Sequence, residues 1–80
     1  MTKNELEKVL TNHKLWLRGE GGERADLGWM DLRGMDIKEV DLEMASLRGA
    51  RLTGSDLCGA RLKNVDLSWA SLDGVNYRLF

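Results

Sequence analysis

From Leu27 to Leu72 every fifth residue is a large aliphatic: Leu27, Leu32, Ile37, Leu42, Leu47, Leu52, Leu57, Leu62, Leu67 and Leu72, with Tyr77 in the same register. A helix advances about 100° per residue, so this period would wander around its surface instead of forming a stripe. A straight strand alternates faces, so an odd spacing would send successive leucines to opposite sides. The pattern becomes consistent if the residue two before each leucine also points inward, because positions two apart share a face of an extended segment. Those positions hold Ala25, Met30, Met35, Val40, Ala45, Ala50, Ser55, Ala60, Val65, Ala70 and Val75. The remaining step must turn the chain, which predicts a β-solenoid in which each pentapeptide is one side of a closed coil. Met30, Met35 and Val40 predict a slightly wider core at one end. Gly34, Gly49, Gly54, Gly59 and Gly74 fall last in their pentapeptides, where the corners must be tight.

Residues 1–24 follow a different rhythm. Thr2-Lys3-Asn4-Glu5 matches a capping box, and Leu6, Val9, Leu10, His13, Trp16 and Leu17 then recur at helical spacing. With Gly19 placed to stop it, the pattern predicts an amphipathic helix of about sixteen residues, followed by a flexible joint at Gly21-Gly22. Solenoid ends expose their cores, so this helix is expected to be an N-terminal α-helical cap, giving two units, 1–24 and 25–80.

Residues 25–79 read as ADLGW, MDLRG, MDIKE, VDLEM, ASLRG, ARLTG, SDLCG, ARLKN, VDLSW, ASLDG and VNYRL. These eleven units, about 55 of the 80 residues, resemble the A(D/N)LXX signature of the pentapeptide repeat family. Arg51 and Arg61 depart from its Asp or Asn, and Val, Met or Ser sometimes replaces its alanine. The segment His13-Lys14-Leu15-Trp16-Leu17 with its glycine-rich joint is similar to the leader of some bacterial members. The resemblance implies a right-handed quadrilateral β-helix, four pentapeptides per coil and so about 2.8 coils.

Catalysis finds little support. One histidine and one cysteine cannot build a metal site, and the carboxylates recur in series rather than as an isolated pair, so no enzyme, metal or cofactor is expected. His13 on the apolar stripe is expected to be a packed, hydrogen-bonded residue and Trp16 a core residue. A single cysteine allows no internal disulfide, and the register points Cys58 outward as a surface thiol. No apolar run is long enough to span a membrane and no signal peptide is visible, so a cytoplasmic location without membrane contact is expected.

The outer surface remains. Residues twenty apart should stack in columns at about 4.8 Å, Asp36 beneath Asp56, with Asp26 and Asp66 on the neighbouring face across Ser46. Asp26, Asp31, Asp36, Glu39, Asp41 and Glu43 against Arg33 and Lys38 give residues 25–44 a net charge of −4. Residues 45–64 carry +3 and residues 65–80 carry −1. Some relatives in the resembled family are rods whose carboxylate rows imitate DNA in the binding site of an enzyme, notably gyrase. A channel that recruits phosphates would also recruit carboxylates. The expected rod is only about 14 Å long, a length over which duplex DNA carries roughly 8 charges, so only a one-sided, partial mimic fits.

The resemblance and the small size together imply a non-enzymatic inhibitor of the phage counter-defence, anti-CRISPR type. It would occupy a DNA-binding surface of a DNA-binding protein or CRISPR-type nucleoprotein complex through Asp26, Asp31, Asp36, Glu39, Asp41, Glu43, Asp56 and Asp66. One alternative is a gyrase or topoisomerase modulator, a dimer joined at Tyr77, Leu79 and Phe80; a monomer is the first expectation. Another is a general interaction scaffold anchored by Trp29 and Trp69. Direct nucleic-acid binding through Arg48, Arg51, Arg61 and Lys63 is disfavoured by the net charge of −1.

Overall fold

A computed structural model describes residues 1–77. Helix α1, Lys3–Leu17, begins where Thr2 leaves the extended region and accepts the Glu5 N–H at 3.2 Å, while Glu5 Oε1 accepts the Thr2 N–H at 2.9 Å. This is the reciprocal box that the sequence contains. At the other end Gly19, with φ 69°, donates to the Trp16 carbonyl and Glu20 donates to the Leu15 carbonyl. That pair of bonds satisfies carbonyls of the last turn, and the αL residue it requires is a glycine. Gly22, at φ 71°, sits so tightly that a Cβ there would overlap the Asn12 carbonyl and lie 2.8 Å from the Leu15 Cβ. The joint expected to be flexible is therefore a close turn against α1.

From Ala25 onward the chain coils. Isolated parallel bridges join Asp26 to Ser46 and Ser46 to Asp66, Asp31 to Arg51 and Arg51 to Ser71, Asp36 to Asp56 and Asp56 to Asn76, and Asp41 to Arg61. Every bridged pair is twenty residues apart, so four pentapeptides complete one circuit. From Leu27 to Leu57 the N–H of each inward leucine or isoleucine donates to the carbonyl of the outward residue one rung on, as Leu27 does to Ser46 at 2.8 Å and Leu42 to Arg61 at 2.9 Å. The outward residue returns a bond from its own N–H, as Ser46 does to Ala25 at 3.0 Å. The straight part is too short to make extended strands, which is why the pairing appears as single bridges.

Corners close by a bond from the first residue of a unit back to the preceding leucine, such as Ala45 to Leu42 at 3.0 Å, at every corner from Met30 to Val75 except that of Val40. The residue ending each unit takes positive φ, as the third position of a type II turn requires. Five of these positions are the glycines at 34, 49, 54, 59 and 74; the others are Trp29, Glu39, Met44, Asn64 and Trp69, at φ 58° to 65°. Left-handed backbone costs a residue with a Cβ about 1–2 kcal/mol.

Seven inward aliphatics, Leu27 through Leu57, are essentially inaccessible, and Leu6 of α1 joins their cluster. Burial fades along the coil: Leu62 and Leu67 are half-buried, and Leu72 and Tyr77 are exposed. Among the described residues no further rung stacks on these last positions. The secondary inward column holds for Ala25, Ala45, Ala50 and Ser55, fully buried, and for Met35, Val40, Ala60, Val65, Ala70 and Val75, partly buried. Met30 departs from it at 40% exposed. Its column continues with Ala50 and Ala70, so it has space for a methyl group rather than a long side chain.

Candidate functional site

We number the sides of the coil in chain order. Side 1 consists of residues 25–29, 45–49 and 65–69; side 2 of 30–34, 50–54 and 70–74; side 3 of 35–39, 55–59 and 75–77; side 4 of 40–44 and 60–64. Sides 1 and 3 are opposite in a four-sided coil. Asp26 and Asp66 therefore face away from the Asp36 and Asp56 column rather than flanking it, because units two apart lie half a circuit apart.

The aspartates have a local task. Asp26, Asp31, Asp36, Asp41, Asp56 and Asp66 each accept, through Oδ1, the backbone N–H of the residue two further on, at 2.9 to 3.2 Å. An Asx-type bond of this kind holds the chain at the entry to each corner. Hydrogen bonds to the charged form lower a carboxyl pKa. The Ser68 side chain and backbone hold Asp66 below the usual range, and the Cys58 backbone N–H does the same for Asp56. Asp31 lies well below it, chiefly through the Arg33 guanidinium, whose own pKa is raised in return. Sequence reasoning treated these carboxylates as a display and missed the bond. Its signal was available: Asp stands one residue before the inward leucine or isoleucine in six of the eleven units.

Ion pairs divide the remaining charge. Arg33 meets Asp31 at 2.7 Å on side 2, and Arg61 meets Glu43 at 2.9 Å on side 4. Lys38 approaches Asp36 only to 3.9 Å on side 3. Glu39, at a positive-φ corner, leans along the coil so that its Cγ lies 3.2 Å from where a Gly59 Cβ would stand. The eight acidic residues are thus dispersed around the perimeter. Asp36, Asp56 and Glu39 share side 3 with Lys38 as the cation facing them among the described residues. Asp41 and Glu43 share side 4 with Arg61 and Lys63; Asp31 is paired on side 2; Asp26 and Asp66 are on side 1 with Arg48.

Of the proposed apolar anchors, Trp69 is 78% exposed and Tyr77 49%; Leu79 and Phe80 lie outside the described residues. An apolar bowl of about 260 Å³, lined by Leu57, Leu62, Leu67, Leu72, Val75 and Tyr77, opens at the far end of the coil. Cys58, expected at the surface, is partly buried on side 3 beside the Asp56 bond.

At the near end, His13 is fully buried. Its Nδ1 accepts the Ala25 N–H at 2.9 Å and its Nε2 lies 2.8 Å from the Glu43 carbonyl, so the ring protonated on Nε2 satisfies both groups. Trp16 stacks on it, with ring centroids 5.7 Å apart. Both ring nitrogens are engaged with backbone, the packed role read from the sequence. Among the described residues no three His, Cys, Asp or Glu side chains converge as a metal-binding group, and no helix is long and apolar enough to cross a membrane.

A family model for pentapeptide repeats matches residues 23–54 and 41–76, in eight copies. Among solved structures, the chain is similar to a pentapeptide repeat protein from the cyanobacterium Cyanothece 51142, with 36% sequence identity and a TM-score of 0.65 over 66% of this chain. The match spans 36% of that protein's chain. No curated protein matches the sequence.

Proposed function

Because the chain belongs to the pentapeptide repeat family, whose fold is a right-handed quadrilateral β-helix, we propose that it is a non-enzymatic binding protein that presses one side of its coil against a partner. In this reading residues 25–80 make a rod of about 2.8 coils and residues 1–24 form its lid. Leu6 in the core cluster and His13 on the orphan Glu43 carbonyl support the lid.

The observation that carries the reading is the side 3 column. Asp36 and Asp56 are bridged rung to rung, and Glu39 leans along the same side. Asp36 and Asp56, about 4.8 Å apart, with Glu39 beside them and one lysine against the three, make the strongest one-sided negative charge among the described residues, and they suit a surface built to hold phosphates. The partner class is a DNA-binding protein or CRISPR-type nucleoprotein complex in a bacterial cytoplasm, with phage counter-defence as the setting. Asp26 and Asp66, on the opposite side, are not part of this surface, and Asp31 and Glu43 are committed to arginines.

The test is competition. The protein should displace duplex DNA from a CRISPR-type complex, less so as salt rises, and reversal of Asp36, Asp56 and Glu39 to lysine should abolish displacement. Displacement unaffected by that triple reversal would refute the reading.

The apolar bowl favours a second reading, a gyrase or topoisomerase modulator made of two rods joined at their open ends. It requires a solution mass twice the 9.0 kDa of one chain. A mass of one chain would leave the monomeric reading alone.

A further inference from the structure

The corner between sides 1 and 2 holds Trp29, Gly49 and Trp69 on successive rungs, and neither indole is placed there by the needs of the coil. Both take positive φ, 61° and 64°, a region a bulky residue occupies only under constraint. Both are solvent-facing, at 68% and 78% exposed. Asn64 and the five glycines show which residues a corner accepts with less strain. The Trp29 ring nevertheless has a built seat. A Cβ on Gly49 would overlap its six-membered ring, so the indole lies along the coil edge over the one corner of its column that has no side chain. Trp69 follows one rung beyond, and the two corners are about 10 Å apart. Met30, 40% exposed, extends the apolar strip.

Arg48 and Arg51 stand on either side of Gly49, on the middle rung. Both are exposed, and neither side chain is in an ion pair among the described residues. The aspartates of the rungs above and below are engaged: Asp26 and Asp66 on the N–H groups of Gly28 and Ser68, and Asp31 on Arg33. The strip therefore presents aromatic surface with two exposed guanidiniums at its centre that sit in the field of Asp31 and Asp66 without pairing with them, the composition of an interface anchor.

We propose that the Trp29–Gly49–Trp69 edge is a docking strip for a protein segment in which apolar or aromatic side chains alternate with carboxylates. This goes beyond the side 3 reading and stands on different residues, so each can fail without the other. The aromatic residues of the segment lie on the indoles and its carboxylates meet Arg48 and Arg51, a bidentate geometry that suits arginine. A protein with both surfaces would bridge a cationic target and an acidic one.

A random copolymer of glutamate and tyrosine, fluorescently labelled, is the probe, with polyglutamate as the charge-only comparison. The wild-type chain should bind the copolymer about tenfold more tightly than polyglutamate. Trp69→Gly, which suits the backbone at that corner, should leave the melting temperature unchanged or raised yet weaken copolymer binding about thirtyfold, the hot-spot threshold. The double variant Arg48→Glu/Arg51→Glu should weaken it at least as much. Asp36→Asn/Asp56→Asn, on the far side, should change it less than about twofold. The proposal is overturned if the copolymer binds no better than polyglutamate, if Trp69→Gly binds like wild type, or if Trp69→Gly lowers the melting temperature, which would make the indole a structural residue.

Discussion

Ser55 is the place where the sequence works against the coil. It stands at a fully inward position, 0% exposed, and its hydroxyl has no hydrogen-bond partner among the described residues. Burying an unpartnered hydroxyl costs about 1–3 kcal/mol. The equivalent inward positions at 25, 45 and 50 hold buried alanines, so the backbone accepts a methyl group there. Ser55→Ala removes one oxygen atom. The void left is on the order of 10 Å³, and at roughly 24 cal/mol per Å³ the cavity costs a few tenths of a kcal/mol. The balance is a stabilisation of about 1 kcal/mol, or roughly 4–8 °C in melting temperature for a domain of this size. Thermal unfolding followed by circular dichroism measures it, with the exposed Ser71→Ala as a control that should shift by less than about 0.5 kcal/mol. A fall in melting temperature for Ser55→Ala would show that the hydroxyl is partnered and the inward column misassigned.

Other expectations follow from the same contacts. His13→Phe keeps a ring but orphans the Ala25 N–H and the Glu43 carbonyl, at about 1–3 kcal/mol for each buried group; a urea titration should show the loss, and an unchanged midpoint would refute the role of the imidazole. Gly22→Ala, with the Asn12 carbonyl in the way and φ positive, should destabilise by more than about 1 kcal/mol in the same assay. The lowered carboxyl groups of Asp31, Asp56 and Asp66 contribute stability that is complete above the unfolded pKa, near 4, and lost as pH falls through the folded values. Melting temperature should therefore hold from neutral pH to about 4 and then decline, less steeply in an Asp56→Asn variant; a flat profile down to pH 2 would refute the Asx role.

The four-sided coil was legible because its period admits no helix and no flat strand, and the capping box at Thr2 and Glu5 and the stop at Gly19 were legible as local chemistry. What could not be read was relational. Leu72 and Tyr77 keep the register of buried partners, yet stand exposed because no described residue stacks beyond them. Met30 followed the inward rhythm and left it because its column offers space for Ala50 and Ala70 only. Asp26 and Asp66 were misplaced beside Asp36 by a miscount of quarter turns. The Asp series was read as charge when its first task is to hold a backbone N–H, a role composition does not distinguish from display. Trp29 shows the limit most plainly: its seat is the absence of a side chain at Gly49, twenty residues away.

Everything said of the surface depends on residues twenty apart lying side by side, and a cysteine pair tests that directly. In a Cys58→Ser background, Asp36→Cys/Asp56→Cys places two thiols at bridged positions about 5 Å apart, within the span of a disulfide. Oxidation should give an intramolecular crosslink, seen by mass spectrometry, with the fold intact, while Asp26→Cys/Asp56→Cys, on opposite sides, stays reduced. A reduced first pair beside a crosslinked second pair would contradict the four-sided coil and the surfaces assigned to it.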